Sequence, residues 1–177
     1  MKYKVAALLC FFATTASAQE WETGEYRGTY DTVPTVSLKS SDGENEVYIF
    51  RKSKKESAID RNDKASVYIG FKTNSLDQIN VRSALLFKAS KGRPLSLKSS
   101  SRIGGFDNNI SMKSFHGVAQ ENCGIIGNIL NSDKLTVRYF STGDLVKDIV
   151  FDLPSNNEKV YSLLGFTKGK DCVEIFE

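Results

Sequence analysis

Lys134-Leu135-Thr136-Val137-Arg138-Tyr139-Phe140, the joint Ser141-Thr142-Gly143-Asp144, and Leu145-Val146-Lys147-Asp148-Ile149-Val150-Phe151-Asp152-Leu153 together decide the fold class. Apolar residues recur at alternate positions: Leu135, Val137 and Tyr139 in the first run, then Leu145, Ile149, Phe151 and Leu153 in the second, with Lys147 the exception. Period two is the signature of a half-buried strand, because successive side chains leave a pleated backbone on opposite sides. A four-residue joint containing Gly143 suits a short hairpin loop. Pro154 ends the second run.

The same period extends toward the N-terminus. Glu46–Arg51 and Ala65–Lys72 pack β-branched and aromatic residues at strand length, and Val67, Ile69 and Phe71 share one face. Asp42-Gly43 and the polar stretch Asp60–Lys64 supply turns before them, the latter as a charged loop joining the two strands. Asn80–Ala89 reads as one buried strand, Pro94–Leu97 as a short one, and Asn109–Phe115 alternates again. Lys98–Asn109, with Ser99-Ser100-Ser101 and Gly104-Gly105, is too polar for a core position. Ile125, Ile126, Ile129 and Leu130 have helical spacing, so one short helix is predicted between Cys123 and Asn131, while Val160–Phe166 fits a helical turn or a strand. Short strands with turn chemistry between them and no βαβ alternation predict an all-β antiparallel sandwich or barrel-like single domain with one short helix.

The chain opens on Met1-Lys2-Tyr3-Lys4, an apolar run from Val5 to Ala13, and Thr14-Thr15-Ala16-Ser17-Ala18. A basic front, an apolar stretch about half the length that spans a bilayer, and small residues at Ala16 and Ala18 form the pattern of a secretory signal peptide over residues 1–18. The domain is then residues 19–177, expected in the periplasm or beyond. Cys10 lies within the apolar run after Leu9, which is not small, so lipidation there is not expected. Lys2 and Lys4 leave with the leader, and formal charge falls from +3 to +1. A near-neutral chain lacks the cationic excess of a nucleic-acid binder, and Arg51-Lys52-Ser53-Lys54-Lys55 reads as a solvated loop. Cys123 and Cys172 remain, and an even count in an oxidising compartment predicts a disulfide between them. Closing that loop stabilises the fold by about 4 kcal/mol on the chain-entropy argument.

Cys123-Gly124-Ile125-Ile126 to Leu130, Lys134–Phe140 and Leu163-Leu164-Gly165-Phe166 resemble, in their order, the invasion-associated locus B-like proteins, in which a cysteine precedes a short apolar helix, a hairpin follows and a Leu-Gly-Phe element comes near the end. The resemblance is confined to the C-terminal half and implies a secreted, β-rich envelope protein with no established catalytic residue set.

His116 is the sole histidine, which excludes sites that need two imidazoles. No GxSxG, GxxxxGK or GxGxxG pattern occurs. Asp60-Arg61-Asn62-Asp63-Lys64 spaces oxygen ligands like a calcium loop, but Lys64 stands where a ligand belongs and no glycine follows, so a solvated turn is expected. Asn109-Ile110-Ser111 fits a glycosylation sequon of little weight behind a bacterial leader. No cofactor and no metal site is expected. Trp21, Tyr26 and Tyr30 are read as an exposed aromatic patch that binds a protein or envelope component, with no nucleic acid, no membrane span after cleavage, and an oligomeric state the sequence leaves open. The expected function is thus an exported binding or accessory protein and not an enzyme. The alternative is a secreted hydrolase using His116 or a carboxylate pair.

Protein isolated from its native host is expected to have an intact mass corresponding to a chain that starts at Gln19 without lipid, and alkylation in the absence of reductant is expected to label neither Cys123 nor Cys172. A retained leader, a diacylglycerol adduct or two reactive thiols would contradict these expectations.

Overall fold

The computed structural model describes residues 19–27, 32–52, 66–97, 106–116 and 125–167. The leader, Tyr30, both candidate disulfide cysteines, Asp60–Lys64 and the two Gly/Ser-rich stretches before Phe106 lie outside the described residues.

Strands β1 (Glu22–Arg27), β2 (Thr32–Lys39), β3 (Asn45–Lys52), β4 (Ser66–Thr73) and β9 (Asn109–His116) form a five-stranded antiparallel sheet in the order β1-β2-β3-β4-β9. A second sheet runs β11-β10-β6-β7, from β6 (Leu85–Ala89), β7 (Leu95–Leu97), β10 (Lys134–Phe140) and β11 (Val146–Asp152). β5 (Ile79–Asn80) and β8 (Phe106–Asp107) pair as a two-stranded ribbon, and Ile79 bridges to Ser141. Helices α1 (Ile125–Leu130) and α2 (Glu158–Leu164) complete the described elements. The sheets do not close on each other among the described residues, so the expected architecture is a sandwich and not a barrel.

Alternation sets which faces meet. Val47 and Ile49 of β3, Val67, Ile69 and Phe71 of β4, and Leu135, Val137 and Tyr139 of β10 all turn into one core. The two strand pairs read from the sequence are present: β3 with β4, from Asn45↔Thr73 to Lys52↔Ser66, and β10 with β11, from Lys134↔Asp152 to Phe140↔Val146. Gly43 and then Gly143 with Asp144 take the left-handed backbone that their tight turns demand.

Several expectations need correction. Leu145 is not on the inner face of β11 but exposed in the turn, because the strand starts at Val146 and its inner row is Lys147, Ile149 and Phe151. Asn80–Ala89 is not one strand: β5 and β6 are separated by a turn in which the Asn80 side chain accepts from Arg82 N–H, 3.0 Å. Arg51 is no loop cation; it lies in β3, and its guanidinium donates to the Leu164 carbonyl at 2.8 Å, stopping α2 where Gly165 turns left-handed. Val160–Phe166 falls largely in a helix, so the described residues hold two helices rather than one.

Pro34 shows how β2 escaped a sequence reading. Proline cannot donate to a ladder and so argues against a central strand. Yet β2 pairs with β3 only from Thr35 onward, leaving Thr32–Pro34 hydrogen-bonded to β1 alone, and there proline is tolerated.

One buried side chain ties distant segments together. Asn157 Oδ1 accepts from the Trp21 indole N–H at 2.8 Å, and its Nδ2 donates to the Leu130 carbonyl at the end of α1, 3.0 Å away. Because this carboxamide points into the core, it does not cap α2, and Asn156 Oδ1 accepts from Glu158 N–H instead, at 3.0 Å. Asn157→Leu strands both partners in the core, and the expected cost is about 3 kcal/mol. The check is the urea midpoint at unchanged slope. Combined with Trp21→Phe, it should destabilise by less than the sum of the two single changes.

Candidate interaction surface

The aromatic residues near the N-terminus do not form one exposed patch. Trp21 is 1 % exposed and belongs to the main core, where its N–H meets Asn157, so it is corrected from surface anchor to core residue. Tyr26 lies in a separate cluster of Val33, Tyr48 and Phe50, with Tyr68 packed beside it, on the opposite face of the five-stranded sheet. Tyr26 stacks on Phe50 with ring centroids 4.8 Å apart and planes 8° from parallel, and Tyr68 stacks on the other side of Phe50 at 4.8 Å and 6°. Next to Tyr26, β2 presents the short side chains Val33, Thr35 and Ser37 to this side, so the Tyr26 ring can reach over it from β1 to β3. Tyr48 lies over Gly70 of β4: a Cβ built there would stand 2.1 Å from the ring. Its hydroxyl donates to the Asn109 side chain on β9. The rings spend their faces on one another, so this cluster braces the sheet and offers little aromatic surface to a ligand.

A cleft of about 550 Å³ is lined by Ser90, Lys91, Asn131, Ser132, Asp133, Leu153 and Ser155. Its polar groups join two turns: the Ser90 hydroxyl donates to the Asp133 carboxylate, and Lys91 N–H donates to Ser132 Oγ at 2.9 Å. The Ser90 hydroxyl bond holds the Asp133 carboxyl below its ordinary range, which favours an ionised acceptor over a proton donor. His116 ends β9 in the other sheet, where its backbone pairs with Ser66. Among the described residues no three His, Cys, Asp or Glu side chains come together as a metal site, and no helix is long and apolar enough to cross a membrane.

A third region stands apart. The large apolar side chains exposed among the described residues are Leu76 (98 %), Leu145 (58 %), Val146 (52 %), Val150 (50 %) and Phe140 (37 %). All belong to the β10–β11 hairpin or to the loop bearing Leu76, which is fastened to that hairpin. Thr142 N–H donates to the Gln78 carbonyl at 3.0 Å, and the Lys147 ammonium meets the Asp77 carboxylate at 3.0 Å. Phe140 and Val146 are cross-strand neighbours. Beside them Arg138 grips Asp148 through two bonds of 2.6 Å, which lower the Asp148 carboxyl pKa. Exposed apolar side chains along one hairpin, with an ordered ion pair between the Phe140–Val146 row and Val150, are the surface chemistry of a protein contact.

Comparison with known protein families, characterised proteins and solved structures finds no match for this chain.

Burial pushes the Tyr48 phenol above its ordinary pKa of 10.0, so the native state keeps a proton that the unfolded chain releases. Stability from this group is complete below that ordinary value and lost as pH climbs past it. Tyr48→Phe is therefore expected to flatten the alkaline fall in stability, read from urea midpoints across that range, while changing neutral-pH stability little, because the Asn109 partner is solvent-exposed.

Proposed function

We propose that this chain is exported to the periplasm or beyond and acts there as a binding or accessory protein of the cell envelope, holding another protein against the β10–β11 hairpin, and that it is not an enzyme. The observation that carries this reading is the gathering of exposed Leu76, Phe140, Leu145, Val146 and Val150 at one end and edge of the smaller sheet. Scattered surface apolar residues are ordinary; a cluster fixed by its own hydrogen bonds and ion pair is preorganised for contact. The secretory pattern of residues 1–18 supplies the compartment. The resemblance to invasion-associated locus B-like proteins points the same way. Engagement of Ser90, Ser132 and Asp133 in turn-to-turn bonds supports a structural use of the cleft that lies nearby.

A photo-crosslinking residue placed at Leu145 is expected to capture one envelope protein in the native host, and the same probe at exposed Thr23 of β1 is expected not to. Leu76→Ser combined with Val146→Ser should lower the adduct yield at least about fivefold with stability nearly unchanged, since both side chains are exposed. An adduct yield indifferent to those changes removes the reading. A hydrolytic activity abolished by His116→Ala in a folded protein would replace it.

A further inference from the structure

We propose that the free edge of β11 receives an extended segment of a different protein, one that alternates apolar and basic side chains along its outward face. This rests on the hairpin being the contact surface, and adds how the partner is held and what it carries.

The backbone argument comes from the ladder. Ser141 N–H donates to the Leu145 carbonyl and Leu153 N–H to the Asp133 carbonyl, both at 2.8 Å, at the two ends of the β10–β11 register. Hydrogen-bonded and non-hydrogen-bonded pairs alternate along an antiparallel ladder. Lys147, Ile149 and Phe151 therefore turn their N–H and C=O groups toward β10, whereas Val146, Asp148, Val150 and Asp152 turn theirs away. Among the described residues no strand lies on that side. The smaller sheet thus ends in a template for one more strand.

Side chains give the partner its chemistry. The same outward-bonding residues form the outer row of β11, and across from them on β10 stand Phe140, Arg138, Thr136 and Lys134. From the hairpin end, each cross-strand row reaches the edge as apolar, anion, apolar, anion. Asp152 is 70 % exposed, with Lys134 Nζ 3.8 Å away. A further strand continues these rows favourably when it sets apolar residues opposite Val146 and Val150, and cations opposite Asp148 and Asp152. A second copy of this chain does not meet that demand. Antiparallel pairing of β11 with itself, with side chains on a common face and most of the strand overlapped, places Asp148 opposite Val150, Asp152 or its own copy, and never opposite a cation.

The probe is a capped, fluorescently labelled peptide, Lys-Thr-Val-Thr-Lys-Thr-Val, titrated into the full chain and followed by anisotropy. It should bind at least about tenfold tighter than the same peptide with glutamate for lysine, and N-methylation at its lysines and valines should abolish binding. Val150→Pro removes an outward N–H at an edge position that tolerates proline, and should weaken the peptide at least about tenfold with the melting temperature held near wild type. Asp152→Lys provides an independent arm and should shift preference toward the glutamate peptide. Equal binding of both peptides, or binding that survives N-methylation or Val150→Pro in a folded chain, overturns the proposal. So does a concentration-dependent dimer that Val150→Pro dissolves, which would assign the edge to a second copy. If the Leu145 cross-link is present and sensitive to the patch changes while the peptide fails to bind, the contact surface stands and only the edge mechanism falls.

Discussion

The buried carboxamide of Asn157 is the constraint on which the arrangement of segments depends. One amide group satisfies both the Trp21 N–H and the Leu130 carbonyl, at 2.8 and 3.0 Å, and so joins the start of the described chain, the end of α1 and the entrance to α2. Few substitutes offer a donor and an acceptor in the same place, and leaving either partner bare in the core is costly. Lys159 adds a bond from its ammonium to the Trp21 carbonyl at 2.7 Å. With this junction closed, α2 lies against β2 and β3, and Arg51 can meet the last helical carbonyl.

The two sheets use their outer faces differently. The larger sheet covers its outside with rings from β1, β3 and β4, stacked across strands whose intervening side chains are small. On the outer face of the smaller sheet, the charge pairs Arg138–Asp148 and Lys134–Asp152 alternate along β10 and β11 with Phe140–Val146 and Thr136–Val150. Charges on an edge strand commonly discourage pairing. Here the acidic side chains alternate with valines, which discourages self-pairing while leaving the edge compatible with a complementary cationic strand.

Much of the sandwich could be read from the chain because its inner rows are strictly alternating. Val67, Ile69 and Phe71, and Leu135, Val137 and Tyr139, are buried as period two requires. Ile125–Leu130 is helical as its spacing indicates. The misses have physical causes. β2, over Thr32–Lys39, went unread, and the proline it contains, Pro34, is tolerated because of its neighbours in the sheet and not its own sequence. Trp21 looked like surface because its distance in sequence from Asn157 conceals the only partner its N–H needs. The outer row of β11 was partly legible: Val146, Asp148, Val150 and Asp152 alternate as plainly as the inner row. A sequence does not say that β11 is an edge, however, and although Ile149, Phe151 and Leu153 are assigned to the correct face, Leu145 is counted with them when it stands exposed in the turn. Nothing in local pattern foretells that Leu76 is carried to that hairpin by Asp77 and Gln78.

Trp21 is the only tryptophan in the chain, and it sits at the junction rather than in the middle of either sheet. Its emission is therefore a local reporter: a hydrogen-bonded indole shielded from water senses the docking of the N-terminal segment onto α2, while backbone circular dichroism senses the sheets. Should the N-terminal segment peel away before the sandwich melts, the optical transitions will separate, and the chain will reveal a partly opened form invisible to either signal alone.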